Sequence, residues 1–174
     1  MEENVILVDT DDNEIGVMEK MEAHLLGKLH RAFSVFIFNT RGELLLQQRA
    51  ADKYHSGGMW TNTCCSHPRK GENTKAAAHR RLNEEMGMKC ELNYAFNFTY
   101  KTAIADGIYE HEFDHVYFGT SNVVPIPEPE EVASFKYMDL ALLEAELNVN
   151  PELYTEWLKI CFQLVKEYRN KLPG

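Results

Sequence analysis

The sequence predicts an α/β or α+β sandwich built on a mixed sheet, and three observations predict it. Segments rich in β-branched and aromatic residues come before, between and after one central helical segment. Helical patterns close the chain. No repeat, low-complexity tract or linker divides the 174 residues, a length that fits one domain. Val5–Asp9 reads as a short strand and Asp11–Gly16 as turn chemistry. Arg31–Asn39 (RAFSVFIFN) reads as a buried strand, Asn39–Gly42 as a turn, and Glu43–Gln48 as a returning strand. Lys53–Asn62 contains Gly57-Gly58 and reads as a loop. Asn73 or Thr74 can cap a helix that runs to Met86 and stops at Gly87. Strands are expected around Glu91–Lys101 and Tyr109–Thr120, and Pro125–Pro129 is an extended break. A short helix near Leu140–Leu147 follows. Pro151 is expected to open a last helix with Leu153, Trp157, Ile160, Leu164 and Tyr168 at helical spacing.

Composition narrows the function. A net charge of −9 disfavours nucleic acid or an anionic membrane as partner, while a local basic cluster can still take a small anion. No apolar run approaches membrane-span length, and the acidic start MEENVILVDTDD resembles no signal or transit peptide. The cysteines Cys64, Cys65, Cys90 and Cys161 form no CxxC pair. They suggest free thiols, a reducing compartment and hence the cytoplasm.

Three constellations can carry chemistry. His24 and His30 flank a short segment that can fold back, and His67 follows Cys65 closely. Glu110 and Glu112 are two apart on an expected strand, so both carboxylates point to one face. Three imidazoles and two carboxylates suit a divalent ion such as Zn, Mn or Mg. His55, His79, His111 and His115 read as surface or satisfied histidines. The second constellation is Ser66-x5-Glu72-x7-Arg80-Arg81-Leu82-Asn83-Glu84-Glu85-Met86-Gly87. It resembles the Nudix box, with Ser66 at the first Gly and Arg81 where a metal-binding Glu is usual. The third is Trp60-Thr-Asn-Thr-Cys64-Cys65-Ser66-His67-Pro68, in which a cysteine beside a metal ligand is a candidate reactive thiol.

Together with Glu19-Lys20-x3-His24, Leu29-His30 and Tyr109-Glu110-x-Glu112, these segments resemble the type I isopentenyl-diphosphate isomerases, a branch of the Nudix superfamily. The resemblance runs from Val5 to about Trp157. It implies a Nudix-type α/β/α sandwich with a mixed central sheet and a loop–helix Nudix box. It implies a single domain, 1–174, whose N-terminal arm, 1–30, contributes metal ligands. It assigns His24, His30, His67, Glu110 and Glu112 to one Zn, Mn or Mg ion, and Glu85 to an Mg²⁺ that arrives with the substrate diphosphate. Cys65 and Glu112 become the catalytic pair, with Tyr100 bonded near Glu112. Lys20, Arg49, Lys53 and Arg81 would bind phosphate, and Trp157 would line the hydrocarbon end. The implied substrate is a small isoprenyl diphosphate, and the implied oligomeric state is a monomer or weak homodimer.

The chemistry fits such groups. An isolated alkene is a weak base, so protonating it needs an acid held against the double bond and a pocket that tolerates a tertiary carbocation. The expected roles are Glu112 as acid toward the terminal alkene and Cys65 as acceptor, with Trp60 and Trp157 as aromatic walls. A diphosphohydrolase on the same fold is the alternative. A metal-binding module without catalysis is a third reading. Arg81, Cys65 and the histidine cluster weigh against the hydrolase, and the full set of candidate catalytic and ligand residues weighs against the module.

Overall fold

A computed structural model describes residues 3–172. Asn4–Val8 (β1) and Glu14–Glu19 (β2) form an antiparallel pair that leads into a short helix, Lys20–Leu25 (α1). The central strand is His30–Phe38 (β3), followed by Leu44–Arg49 (β4), Trp60–Thr61 (β5) and Cys64–Ser66 (β6). Helix α2 spans Thr74–Met86. The long strands Asn93–Ala105 (β7) and Ile108–Thr120 (β8) form a hairpin, and Val132–Met138 (β9) pairs with β4. Helices Leu140–Val149 (α3) and Glu156–Lys171 (α4) close the chain. The sheet is mixed: β3 runs parallel to β8 and antiparallel to β1, β4 and β6.

Alternation along β3 sorts the core into two layers. Phe33, Val35 and Ile37 face Ala77, Ala78, Leu82 and Met86 of α2. Phe36 and Phe38 face Leu143 of α3 and Leu158, Phe162 and Val165 of α4. The result is the α/β/α sandwich. Helix α2 begins where Asn73 accepts from the Ala76 amide at 3.2 Å, and it ends at Gly87 with φ 62°. A Cβ at Gly87 would lie 2.5 Å from the Ile126 carbonyl oxygen, so the position needs glycine for space as well as for its left-handed backbone. The Pro-rich segment docks there, and its Ile126 and Glu128 amides donate to the last carbonyls of the helix, Met86 and Glu85.

Several expectations shift. Residues 14–16, expected as turn, open β2, because the tight turn is confined to residues around Thr10–Asp12. Strands β7 and β8 extend beyond Lys101 and Tyr109 and meet at Asp106-Gly107, where Gly107 takes φ 71°. Pro151 opens only a 3-10 turn, Pro151–Leu153, and α4 starts five residues later. Its buried face is Trp157, Leu158, Cys161, Phe162 and Val165, whereas Leu153, Ile160 and Leu164 are exposed.

Candidate active site

Strand register alone assembles most of the site. On β8, Glu110, Glu112 and Asp114 alternate onto the face that carries Val116 and Phe118 into the α4 layer. Glu112 lies opposite Tyr100 on β7 and opposite His30 on β3. Ser34, two positions after Ala32 on that same β3 face, lies opposite Cys65 on β6. Cys65 therefore shares a sheet face with Glu112. Cys64, one residue earlier, pairs with Val35 and packs in the α2 layer. Cys65, Glu110, Glu112, Glu85 and Trp157 all line one large cleft, of about 1060 Å³.

The histidines converge on the carboxylates. His24 Nδ1 lies 2.6 Å from the Lys20 carbonyl oxygen, and His30 Nδ1 lies 2.8 Å from that of Lys28. Each carbonyl accepts the ring proton, which leaves the Nε2 lone pair free, the usual arrangement of a metal-binding imidazole. Both Nε2 atoms are buried with no hydrogen-bond partner among the described residues. His67 Nε2 lies 3.0 Å from Glu112 Oε1, and His30 Nε2 lies 3.5 Å from the same oxygen. Ligand atoms of His24, His30, His67 and Glu112 lie within 4.8 Å of one another. Burial pushes the His24 imidazole down, and it drives His67 down to about 4 despite the Glu112 hydrogen bond. The unpartnered Nε2 atoms of His24 and His30, with His67 and Glu112 beside them, fit a divalent cation.

The carboxylates are unequal. Burial pushes both up. At Glu112 the nearby His30 imidazole and the His67 hydrogen bond outweigh burial and hold it well below the usual range. At Glu110 burial and the Glu112 charge prevail and push it well above the usual range. The Tyr100 hydroxyl lies 2.8 Å from Glu112 Oε2 and 3.0 Å from Glu110 Oε2. With a single proton it can donate to only one of these two carboxyls at a time. This is a continuous chain of two carboxyls and a phenol. Burial pushes the Cys65 thiol well up. Arg49 opposes that, and Glu85, Glu112 and Glu110 reinforce it.

The expected phosphate-binding cations all line the cleft, most of them already paired. Lys20 bonds Glu3 at 2.8 Å, Lys53 bonds Glu131, and Arg81 reaches Glu84, Glu85 and Glu131 at 2.8, 2.7 and 3.3 Å. Arg49 has no carboxylate partner among the described residues, and its guanidinium lies 5.3 Å from the Trp157 ring centroid. Trp157 is 3% exposed and donates from Nε1 to Asn62 Oδ1 at 3.2 Å, so it is both cleft wall and core. Trp60, expected as a wall, does not line the cleft. Lys136 sits 4.1 Å over its ring, and the ring packs in the α4 layer.

Sequence reading missed three members of the cleft. Glu131 lies just beyond the Pro125–Pro129 break, in a stretch to which the sequence assigns no element. Asp114 continues the Glu110, Glu112 alternation and is buried, with Oδ2 accepting from Ser34 at 2.8 Å. His55, expected to be a surface or satisfied histidine, is buried with Nε2 3.6 Å from Glu110 Oε1. Burial drives it down to about 3. His111 and His115 do bond locally, to the Gly27 carbonyl and to Asp12.

Comparison with known proteins agrees with this geometry. The NUDIX domain family matches residues 28–158. A solved structure from Deinococcus radiodurans shares the fold at a TM-score of 0.76 and 18% identity, covering 95% of this chain and 99% of that one. The isopentenyl-diphosphate Delta-isomerase of Pectobacterium atrosepticum is 51% identical over 164 residues, 94% of this chain and 92% of that protein. Isopentenyl-diphosphate Delta-isomerase 1 of Aromatoleum aromaticum is 53% identical over 95% of this chain and 93% of its own length. The corresponding protein of Serratia proteamaculans is 54% identical over 90% and 88%. Half the residues shared over nearly the full length of both partners leaves one assignment: on a Nudix fold, this chain belongs to the isopentenyl-diphosphate Delta-isomerase family.

Proposed function

We propose that this chain interconverts isopentenyl diphosphate and dimethylallyl diphosphate by adding one proton and removing another through a tertiary carbocation, a step of isoprenoid biosynthesis. The observation that carries this reading is a thiol and a carboxylate, Cys65 and Glu112, on one sheet face and lining one cleft. Glu112 gives a proton to the terminal alkene carbon, and Cys65 takes one from the carbon next to the oxygen-bearing carbon. In the reverse direction the roles exchange. The Tyr100 hydroxyl, 2.8 Å from Glu112 Oε2, relays the proton that resupplies Glu112. Arg49 favours the thiolate that acceptance requires. Trp157 presents an aromatic surface to the cation, worth about 2 kcal/mol when desolvated.

His24, His30, His67, Glu110 and Glu112 would hold one divalent ion, Zn, Mn or Mg. Such an ion would orient the Glu112 carboxylate and keep one of its oxygens ionised. Glu85 would hold an Mg²⁺ that arrives with the diphosphate, and Lys20, Arg49, Lys53 and Arg81 would bind phosphate oxygens. Because Lys20, Lys53 and Arg81 are paired with carboxylates, the incoming diphosphate exchanges one anion for another there, which favours orientation over tight capture. No helix among the described residues is long and apolar enough to cross a membrane. The free thiols suit the cytoplasm.

The test is incubation with isopentenyl diphosphate and Mg²⁺, followed by proton and phosphorus NMR. Dimethylallyl diphosphate should accumulate with both phosphates attached. Release of phosphate instead would favour the hydrolase reading and overturn this one.

A further inference from the structure

His55 stands outside the ligands named so far, yet its ring belongs to the same cluster. Two ligand groups can be drawn here: His24, His30, His67 and Glu112, and His24, His55 and Glu110, with the donor atoms in each within 4.8 Å of one another. His24 is common to both and has one donor to give. Its Nδ1 proton is taken by the Lys20 carbonyl, so only Nε2 carries a free lone pair. One imidazole lone pair binds one ion, so the two groups cannot hold two ions at once. The six donors are not all within 4.8 Å of one another, so sharing one ion requires the two groups to draw together about it. Around an octahedral ion with bonds of about 2.1 Å, neighbouring donors lie about 3.0 Å apart and opposite donors about 4.2 Å. The separations here of 3.0 Å (His67–Glu112), 3.5 Å (His30–Glu112) and 3.6 Å (His55–Glu110) lie in that range. The His55 ring is held in place by Tyr54, 4.3 Å away at 87°, and by Trp157, 6.0 Å away at 84°.

We propose, building on the metal-site reading above, that His55 is a sixth protein ligand, so that one divalent transition-metal ion is held by His24, His30, His55, His67, Glu110 and Glu112. Four imidazoles and two carboxylates favour a first-row transition metal over Mg²⁺, which prefers oxygen donors and keeps water. Six protein donors also leave no position for a water. The centre then orients Glu112 and generates no hydroxide, which suits a proton shift and not a hydrolysis.

The test uses metal-stripped full-length protein titrated with Co²⁺. Proton NMR of the cobalt protein shows one strongly shifted, solvent-exchangeable N–H signal per coordinated imidazole. Four are expected in the wild type and three in His55→Gln, with Co²⁺ affinity weakened about tenfold or more in the variant. Three signals in the wild type would overturn the sixth ligand and leave the ion on His24, His30 and His67. Failure to take up Co²⁺ at all would overturn the metal-site reading itself. The wild-type count decides the matter even if the variant folds poorly.

Discussion

Replacing Tyr100 by phenylalanine removes one oxygen from the centre of the proton chain and little else. The ring is buried and stacked on Phe98, with centroids 5.5 Å apart and planes at 20°, and phenylalanine keeps that packing. What disappears is the hydroxyl 2.8 Å from Glu112 and 3.0 Å from Glu110. A hydrogen bond to a charged group is worth about 1.5–3 kcal/mol, and each 1.36 kcal/mol is tenfold in rate, so kcat should fall by about 10–150-fold. The phenol is not a metal donor, so metal content should be unchanged. It does not line the cleft, so KM should move by less than about threefold. The assay is initial-rate NMR of dimethylallyl diphosphate formation, with metal content measured on the same samples. A kcat within about twofold of wild type, with the metal retained, would refute the relay.

The register of β6 predicts that Cys65→Ala and Glu112→Gln each nearly abolish turnover while Cys64→Ala keeps most of it; the reverse ranking of the two cysteines would show the wrong sulfur was assigned. Glu85→Gln should raise the Mg²⁺ concentration for half-maximal rate about tenfold or more with little change in thermal midpoint; an unchanged Mg²⁺ response would exclude Glu85 as the ligand. Metal uptake should release about one proton, from Glu110, whose carboxyl is pushed well up by burial and the Glu112 charge, while burial pushes the His24 and His67 imidazoles down. The sign follows from competition: affinity should rise with pH, about tenfold per unit, until Glu110 ionises in the free protein. Calorimetry in buffers of different ionisation enthalpy counts the protons, and release of two or more would contradict the burial argument.

Much of the fold was legible because local pattern and tertiary demand agree. The β-branched run of β3 is buried on both faces, and Asn73 and Gly87 bound α2 where capping chemistry puts them. Errors arose where one local signal was over-read. Pro151 is a sound first-turn residue, but the turn it opens is 3-10, and the apolar residues beyond Thr155 fit a stripe one position displaced from the expected one. The strand β9 and the Asp106-Gly107 hairpin were visible as alternation and turn chemistry but went unused. At the site, His24, His30, His67, Glu110 and Glu112 are legible in the sequence as candidates, and strand register places His30 opposite Glu112. His55 was not found, because its contact with Glu110 joins a loop to a strand more than fifty residues away and no periodicity encodes that. The carboxylate partners of Lys20, Lys53 and Arg81 are likewise products of tertiary packing.

The central claim is that one proton enters and a different one leaves the same bound molecule through two separate groups that line the cleft. Turnover of isopentenyl diphosphate in D₂O tests it directly. If Glu112 donates and Cys65 accepts, the dimethylallyl diphosphate formed carries deuterium in a methyl group, because the donated proton comes from a site that exchanges with solvent. Product formed at full rate with no deuterium in its carbon skeleton would mean that a single group returns the proton it removed, and a two-group mechanism would be contradicted.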